Sequence, residues 1–291
     1  MGTGKTIQIL QWLRDCEIVD DSFLPAVVIC PNSTKLNWQR ETIKWLPEAT
    51  PYVIAGSAKQ RADIFKKAAA DPKALIIINI EAVRGHSRLA GYGSQRLARC
   101  PECGGKSPTI TRTRCEVHAR ELNLIALRSV VVDEAHRIKD PNAKQTRAAW
   151  AVGHGESVRY RYALTGTPLA NDPSDLWSIM HFIFPLEYPR KTAFVDRYCL
   201  QAWNAFGGLN VVGLHPATRD EFYSFFDARF RRMTKAVVLT QLPPKIPTRH
   251  VVTMSPKQAR AYADIESGLV TRLADDSIMV ARNDLVAQTR L

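Results

Sequence analysis

Near its amino terminus the chain carries Gly2-Thr3-Gly4-Lys5-Thr6, a group of residues suited to holding phosphate. Glycines let successive backbone N–H groups close around an anion, and a helix that starts at such a loop directs its positive end toward it. Lys5 would reach the β- and γ-phosphates of a nucleotide, and the Thr6 hydroxyl would bind Mg²⁺. The full pattern, G-x-x-x-x-G-K-[ST], needs two more residues before Met1. Alone, the segment is therefore also compatible with chance.

A second set of candidate residues follows the apolar run Val130 to Val132. Asp133 and Glu134 come directly after it, at the carboxyl end of a predicted strand, where α/β sheets place their ligands. Asp133 would hold Mg²⁺, usually through water, and Glu134 would orient and deprotonate the water that attacks the γ-phosphate. A solvated acidic turn would fit the same composition. The combination with Gly-Lys-Thr favours an ATPase site.

A third loop, Leu164-Thr165-Gly166-Thr167-Pro168, follows another short apolar run. Its two threonine hydroxyls, on Thr165 and Thr167, are placed to sense whether a γ-phosphate is present and to pass that state to another surface. On its own, the segment is equally typical of an ordinary loop after a strand.

The segments that must position these residues alternate between helical and strand-like patterns. Strands are predicted at Ala26–Cys30, Tyr52–Ala55, Leu75–Ile80, Val130–Val132 and Tyr162–Leu164, and helices at Lys5–Cys16 and Thr34–Trp45. This alternation predicts βαβ units and an α/β fold with a mostly parallel sheet. In the second helix, the amphipathic pattern predicts that Leu36, Ile43 and Trp45 face inward.

Five segments occur in an order that resembles a known family. GTGKT, VVICPNSTKLNWQRETIKW, INIEAVR, VVDEAHRIKDPNAKQTRA and YALTGTPLANDPSDLWSIMHFIFP are similar to motifs I, Ia, Ib, II and III of the Swi/Snf family, in helicase superfamily two. A further segment, FRRMTKAVVLTQLPPKIPTRHVVTMSPKQARAY, resembles the junction between the two RecA-like lobes of that family. The resemblance runs from Met1 to about Tyr262. It implies the ATP-binding, RecA-like lobe of a DNA-dependent ATPase that moves on double-stranded DNA.

The resemblance also assigns roles to individual residues. His136, Thr165 and Thr167 match positions that couple the nucleotide state to the DNA interface. The motif Ia region, which in the family runs beside the DNA backbone, contains Asn37, Trp38 and Arg40; helix packing for Trp38 and a solvated face for the polar pair remain alternatives. At the lobe junction, the basic residues that could grip phosphates are Arg231, Arg232 and Lys235.

The resemblance also implies a domain organisation. An amino-terminal lobe is predicted over residues 1–239, a proline-rich linker over 240–248, and the beginning of a second RecA-like lobe over 249–291. In this last segment we expect a strand at His250–Met254, followed by a helix capped by Ser255.

Parts of the family pattern are missing from the sequence. These are the first half of the phosphate loop and motifs IV to VI, which include an arginine finger typically worth about 10³–10⁵ in rate. We therefore expect weak or no ATP turnover by this chain alone, and a second polypeptide supplying the carboxyl-terminal lobe is one alternative. Two other functions stay open: a non-catalytic DNA- or protein-binding remnant, and an unrelated P-loop kinase or transferase.

Residues 85–120, rich in Gly, Arg, Cys and Ser/Thr, interrupt the α/β pattern and form a predicted insertion. Within it, Cys100, Cys103, Cys115 and His118 have the spacing Cys-x2-Cys-x11-Cys-x2-His, which supplies the four N/S ligands of a closed tetrahedral zinc site. A flexible loop of free thiols is the alternative. Arginines and a lysine surround these ligands. A further hypothesis is therefore that the insertion contacts DNA or a partner.

The charge and cysteine content narrow the class of protein. Lys plus Arg number 40 and Asp plus Glu 28, giving a net charge of +12 that suits a nucleic acid or an anionic membrane surface. No run approaches the roughly 18 apolar residues of a membrane span, and no signal peptide opens the chain. We therefore expect a protein of the cytosol or nucleoid that is neither secreted nor embedded in a membrane.

Overall fold

The computed structural model describes residues 4–20, 23–89, 118–166, 173–203, 208–231, 250–268, 270–272 and 278–280, with 98–99, 106–107, 110–111, 114–115, 233, 237, 241 and 248. By its contacts the chain divides into two compact units, Met1–Val238 and Leu239–Leu291. Among the helices described, none combines the length and the apolar character that a membrane crossing requires.

The helices and strands appear in the following order along the chain. The helices are α1 (Lys5–Asp20), α2 (Lys35–Trp45), α3 (Ala58–Ala70), α4 (Ile80–His86), α5 (Glu121–Leu124), α6 (Lys144–Gly153), α7 (Asp175–Ile183), α8 (Lys191–Tyr198), α9 (Arg219–Arg229) and α10 (Pro256–Gly268). The strands are β1 (Ala26–Cys30), β2 (Thr50–Val53), β3 (Ala74–Asn79), β4 (Ala98–Arg99), β5 (Lys106–Ser107), β6 (Ile110–Thr111), β7 (Arg114–Cys115), β8 (Ser129–Asp133), β9 (Tyr160–Leu164), β10 (Cys199–Trp203), β11 (Leu209–Leu214), β12 (Val270–Arg272) and β13 (Ile278–Val280).

The first unit is built on a five-stranded sheet in the order β2-β3-β1-β8-β9. All four neighbouring pairs are parallel, so the predicted α/β class with a parallel sheet is confirmed. Parallel strands covered by helices on both faces are apolar along their whole length, which explains runs such as AVVIC and LIII. The carboxyl ends of the strands lie along one edge, where the candidate site residues follow them.

Successive residues of the central strand β1 alternate between two hydrophobic cores. Val27 and Ile29 belong to the larger core, which α3, α4, α6 and α7 help to form. Val28 and Cys30 belong to the smaller core, under α1 and α2. The period of two along a strand produces this division, and both helical layers are needed to bury the sheet.

The orientation of α2 differs from the prediction. Leu36 and Ile43, expected to face inward, are each 59% exposed, whereas Trp38 and Thr42 are buried and Trp45 is half-buried. The helix is therefore turned so that Trp38 fills the small core and Trp45 packs at its edge, since burying an indole removes more apolar surface than burying a leucine. Packing of Trp38, the alternative interpretation of this residue, is confirmed.

Asn123 of α5 connects the two ends of the insertion. Its side-chain oxygen accepts hydrogen bonds from the backbone N–H groups of Arg88, at 2.7 Å, and Arg120, at 3.2 Å. Its amide nitrogen donates to Ser87 Oγ at 3.2 Å. The two ends of the insertion therefore lie at the same point of the lobe. Strands that precede and follow the insertion in sequence can then pair in one sheet.

The second unit contains α10 and the antiparallel pair β12–β13. The predicted helix is present, and its cap is formed by Ser255, whose backbone N–H donates to Gln258 Oε1 at 3.0 Å. The predicted strand at His250–Met254 is wrong, because these residues are exposed and form no strand and no strand pairing within the part of the chain that the structure describes. Val251 and Val252 have the composition of a strand, but strand propensity depends on a neighbour to pair with.

Candidate active site

The phosphate loop ends where α1 begins. Gly4 has a φ of +76°, in the left-handed region that glycine adopts freely, and no atom lies within 4 Å of the position a Cβ would take. Its carbonyl accepts the first helical hydrogen bond, from the N–H of Gln8 at 2.9 Å. The amides of Lys5 and Thr6 therefore lie outside the helical ladder and can bind an anion. Gly2 and Thr3 lie outside the described residues.

Glu134 faces Lys5 across the start of this helix. Lys5 Nζ lies 3.9 Å from Glu134 Oε1, and both side chains are largely buried, with 23% and 15% exposed. Glu134 has φ 51° and ψ 52°, the left-handed conformation that is uncommon outside glycine and concentrates at functional sites. This turn directs the carboxylate of Glu134 back toward α1, immediately after β8 ends.

His136 and Thr165 extend the same group of contacts. His136 Nδ1 lies 3.3 Å from Glu134 Oε2 and 3.4 Å from Thr165 Oγ1. Thr165 follows β9, and the next residue, Gly166, would place a Cβ only 3.9 Å from Lys5 Nζ. Four side chains from three separate loops thus meet along the carboxyl edge of the sheet. Thr167 lies outside the described residues.

Asp133 lies at the end of β8 and is 8% exposed. Its Oδ1 accepts the backbone N–H of Glu134 at 2.9 Å, and its Oδ2 accepts the indole Nε1–H of Trp38 at 3.0 Å. Each carboxylate oxygen has two lone pairs, so each retains one for a further donor or a metal-bound water. A carboxylate held in this way fits a Mg²⁺ ion bound through water, the role expected for Asp133.

The residues at this edge fit a magnesium-bound nucleoside triphosphate. Lys5 and the free amides at the start of α1 offer positive charge to phosphate oxygens, whereas Asp133 and Glu134 offer negative charge to a metal and an acceptor to a water. Cations and carboxylates therefore stand side by side, as a phosphate chain with its metal requires.

A second network lies beside the first, at the ends of β1, β3 and β8. Arg137, next to His136, donates to Glu81 Oε1 at 2.6 Å, and Asn79 donates to Glu81 Oε2 at 3.0 Å. Lys35 Nζ donates to Asn79 Oδ1 at 3.4 Å. Partial burial raises the pKa of Glu81, but the hydrogen bonds from Asn79 and Arg137 outweigh burial, so the pKa of this carboxylate is lowered. The loop after β8 is therefore tied to the starts of α4 and α2.

Cys30 is a buried thiol at the end of β1, on the same edge of the sheet. Burial raises its pKa to about 12, and the Thr34 hydroxyl only partly opposes that effect. A thiol with such a pKa carries no nucleophile at neutral pH, so Cys30 is a packing residue.

The family model for the SNF2-related domain matches residues 1–289. The chain belongs to the SNF2-related domain family. This confirms the resemblance to the Swi/Snf type, and the family implies ATP and Mg²⁺ as ligands of the site.

Curated relatives of this SNF2-related chain are longer proteins. An "Uncharacterized ATP-dependent helicase" of Mycoplasma pneumoniae is 27% identical over 264 residues, covering 91% of this chain and 21% of the relative. The "ISWI chromatin-remodeling complex ATPase ISW2" of Saccharomyces cerevisiae is 27% identical over 268 residues, covering 91% of this chain and 20% of the relative. The chain thus spans about a fifth of the length of either protein.

A solved structure supports the same architecture. The Sulfolobus solfataricus SWI2/SNF2 ATPase core in complex with dsDNA matches with a TM-score of 0.53 and 25% identity, over 91% of this chain and 46% of that one. The predicted RecA-like α/β lobe is therefore confirmed as the fold of the SNF2-related chain.

The structure brings together most predicted site residues that it describes. Lys5, Glu134, His136 and Thr165 form one cluster, with Asp133 beside it. Asn37 and Arg40 lie on the exposed face of α2, and Arg231 is exposed after α9. Arg232, Cys100 and Cys103 lie outside the described residues.

Sequence reasoning missed the contact between Trp38 and Asp133, and the network of Lys35, Asn79, Glu81 and Arg137. Both join segments that are far apart in sequence but follow neighbouring strands of the sheet. The signals available were the polar residues directly after each apolar run, such as Asn79. Their partners follow from the strand order, which the sequence does not state.

Proposed function

We propose that this SNF2-related lobe binds Mg-ATP and duplex DNA and, joined to a second RecA-like lobe, hydrolyses ATP to move on DNA. The observation that carries the proposal is the convergence of Lys5, Glu134, His136 and Thr165 within 3.3–3.9 Å contacts at the end of the sheet. The order of the motifs and the family membership support it.

The site residues have distinct proposed roles. Lys5, the amides that follow it and the Thr6 hydroxyl bind the phosphates and metal, while Asp133 holds Mg²⁺, which supplies positive charge to the phosphate oxygens when bound. Glu134 orients the attacking water and accepts its proton. His136 contacts both Glu134 and Thr165. A change in the nucleotide state at Glu134 therefore alters the contacts of His136 and Thr165.

Nucleotide binding tests the enzyme interpretation against a non-catalytic remnant. Fluorescent ATP should bind the wild-type chain in the presence of Mg²⁺. Lys5→Ala should weaken this binding by about tenfold to a hundredfold, because the variant has no ammonium group to pair with the phosphates. Lys66, exposed on α3, provides the matched control as Lys66→Ala. Equal affinity of wild type and Lys5→Ala would exclude the proposed site.

The proposed DNA-binding surface includes the exposed polar face of α2 and Arg231. Asn37 and Arg40 project from α2 on the side away from the core, and the net charge of +12 supports a polyanionic partner. Arg232 joins this set by its position in sequence.

Binding of long duplex DNA, measured by fluorescence anisotropy at several salt concentrations, tests this surface. Arg40→Ala combined with Arg231→Ala should weaken binding and reduce the salt slope by about two, because each arginine neutralises one phosphate. The exposed Lys66→Ala variant should leave the slope unchanged. An unaltered slope in the double variant would remove α2 and Arg231 from the interface.

Rapid turnover is proposed to need the second lobe. In the family that lobe supplies an arginine finger, typically worth about 10³–10⁵ in rate. Residues 249–291 are proposed to begin that lobe, and the rest would come from further sequence or from a second polypeptide. A coupled ATPase assay of the 291-residue chain with duplex DNA should show little turnover. Several turnovers per second would contradict this.

We further propose that the insertion binds structural zinc through Cys100, Cys103, Cys115 and His118. Cys115 ends β7 and pairs with Ile110, so the third ligand lies on a short hairpin. His118 Nδ1 is buried and has no hydrogen-bond partner among the described residues, which suits a metal ligand. Within the described residues no three potential ligands cluster, and Cys100 and Cys103 are not among them.

Metal analysis of the purified chain tests the zinc site. We expect one zinc per chain in the wild type and loss of zinc in Cys103→Ser. Cys199→Ser is the control, because Cys199 is a buried thiol in the larger core. A wild-type protein without zinc would favour a loop of free thiols.

We also propose that the protein is located in the cytosol or nucleoid.

A further inference from the structure

Trp38 of α2 carries an indole that contacts a proposed metal-binding group. It is fully buried in the small core, in the same cluster as Leu10, Leu13 and Cys30. Its indole Nε1–H donates to Asp133 Oδ2 at 3.0 Å, a buried bond between residues 95 positions apart. The contact joins α2, the helix that carries the proposed DNA-binding residues Asn37 and Arg40, to the end of β8, which carries the proposed metal ligand.

The environment leaves Trp38 and Asp133 little freedom. A buried indole N–H requires an acceptor, and the apolar neighbours of Trp38 offer none. The other oxygen of Asp133 is held by the N–H of Glu134 at 2.9 Å, so the two donors together set the plane of the carboxylate. A shift of α2 would therefore move one of the two donors that hold Asp133, while leaving the other in place.

The opposite face of α2 carries the proposed DNA contacts. Asn37 and Arg40 flank Trp38 in sequence and are exposed, so one rigid helix presents polar groups to DNA and an indole to the metal carboxylate. A helix of 11 residues moves as a unit because its backbone hydrogen bonds are internal.

We propose that Trp38 is a positioning residue through which duplex DNA bound at α2 changes the affinity of the lobe for Mg²⁺ and nucleotide. This rests on the proposed function, since it needs both ligands to bind. Groups that orient a metal-binding residue typically change metal affinity by about 10–100-fold when removed. Linkage requires the effect to be reciprocal, so Mg-ATP also changes the affinity for DNA through the same indole.

Two matched variants in one helix test the proposal. Trp38→Phe keeps an aromatic ring in the core and removes the N–H donor. Trp45→Phe makes the same change at the end of α2, where the indole donates to Glu41 Oε2 at 2.8 Å on the half-buried side of the helix. Fluorescent ATP binding is titrated with Mg²⁺, with and without long duplex DNA.

In Trp38→Phe the Mg²⁺ concentration for half-maximal effect should rise by about 10–100-fold, and the DNA-dependent change should disappear. Two measurements separate positioning from misfolding: the binding of ATP without Mg²⁺, and the urea midpoint of the nucleotide-free protein. In both, Trp45→Phe serves as the reference for Trp38→Phe. Trp38→Phe that behaves as Trp45→Phe in the Mg²⁺ titration would overturn the proposal.

A second measurement needs no substitution at Trp38. The indole N–H resonance of Trp38, assigned by elimination with Trp→Phe variants of the other five tryptophans, should shift when Mg-ATP is added and again when duplex DNA is added. No shift with either ligand refutes the proposal. If the wild type binds neither ATP nor DNA, the proposed function itself fails. If it binds both but DNA leaves the Mg²⁺ requirement unchanged, only the role of Trp38 fails.

Discussion

His154 is held as a neutral imidazole at the end of α6. Its Nε2 donates to the carbonyl oxygen of His181 at 3.1 Å, and the two rings meet edge to face with centroids 5.1 Å apart. Arg161 is close by and donates from Nε to the Gly153 carbonyl at 2.6 Å. Burial, reinforced by the charges of His181 and Arg161, lowers the pKa of His154 to about 4.

The sign of the resulting pH dependence follows from the two states. In the unfolded chain the imidazole has its ordinary pKa of about 6.5, so at acid pH the unfolded chain binds this proton more tightly. The contribution of neutral His154 to the free energy of unfolding is therefore complete above about pH 6.5 and is lost as the pH falls toward 4. A pKa near 4 corresponds to about 3 kcal/mol in all, of which about 2 kcal/mol is lost between about pH 7 and pH 5.

The variant His154→Gln isolates this contribution. Its amide can still donate to the His181 carbonyl but does not titrate, so the wild type should lose about 2 kcal/mol more unfolding free energy than the variant between about pH 7 and pH 5. Trp150 and Trp177 report unfolding of this region, because their rings lie 4.6 Å and 5.0 Å from that of His181. Urea unfolding followed by tryptophan fluorescence supplies both free energies.

His250→Gln is the control for this comparison. His250 is exposed and lies in the second unit, so its replacement should leave the pH dependence of unfolding of the first unit unchanged. Equal losses for wild type and His154→Gln between the two pH values would show that the imidazole is not held neutral by its surroundings, and the reasoning would be wrong.

Three further predictions have defined expected outcomes. Arg137→Glu should weaken the binding of duplex DNA measured by anisotropy, because it breaks the 2.6 Å hydrogen bond to Glu81, and the network of Glu81, Asn79 and Lys35 reaches the start of α2, the proposed DNA-binding helix. Adding Glu81→Arg should restore part of that binding, and unchanged binding in Arg137→Glu would contradict this reasoning. Gly153→Ala should lower the free energy of unfolding in urea by about 1–3 kcal/mol, because the new Cβ would overlap the buried ring of Phe182. Asn123→Ala should speed hydrogen exchange at both ends of the insertion by about tenfold or more, since two backbone N–H groups would have no acceptor, and unchanged exchange would contradict its role as a connector.

The α/β class and much of the site could be read from local pattern. Fully apolar runs such as Ala26–Cys30 identified buried parallel strands, and polar residues placed directly after such runs identified the edge where ligands bind. Because all carboxyl ends of a parallel sheet share one edge, Asp133, Glu134 and Thr165 could be placed near one another without knowing the strand order.

Other features could not be read in this way. The pattern of α2 allowed two inward faces, and the face with Leu36 and Ile43 was the wrong choice, because the shape of the core between α1 and the sheet decides which side chains fit. The His250–Met254 segment had strand composition, but a strand also needs a partner, which local sequence does not supply.

The sequence by itself determined which residues are candidates for chemistry: the phosphate loop, the Asp-Glu pair, the order of the motifs and the candidate zinc ligands follow from residue type and spacing. The tertiary structure decided which of those residues touch. The order β2-β3-β1-β8-β9 places β1 beside β8, and only this adjacency brings the indole of Trp38, in the helix after β1, to the carboxylate of Asp133 at the end of β8. Such contacts depend on long-range strand pairing, whereas local patterns depend on the periodicity of a single element.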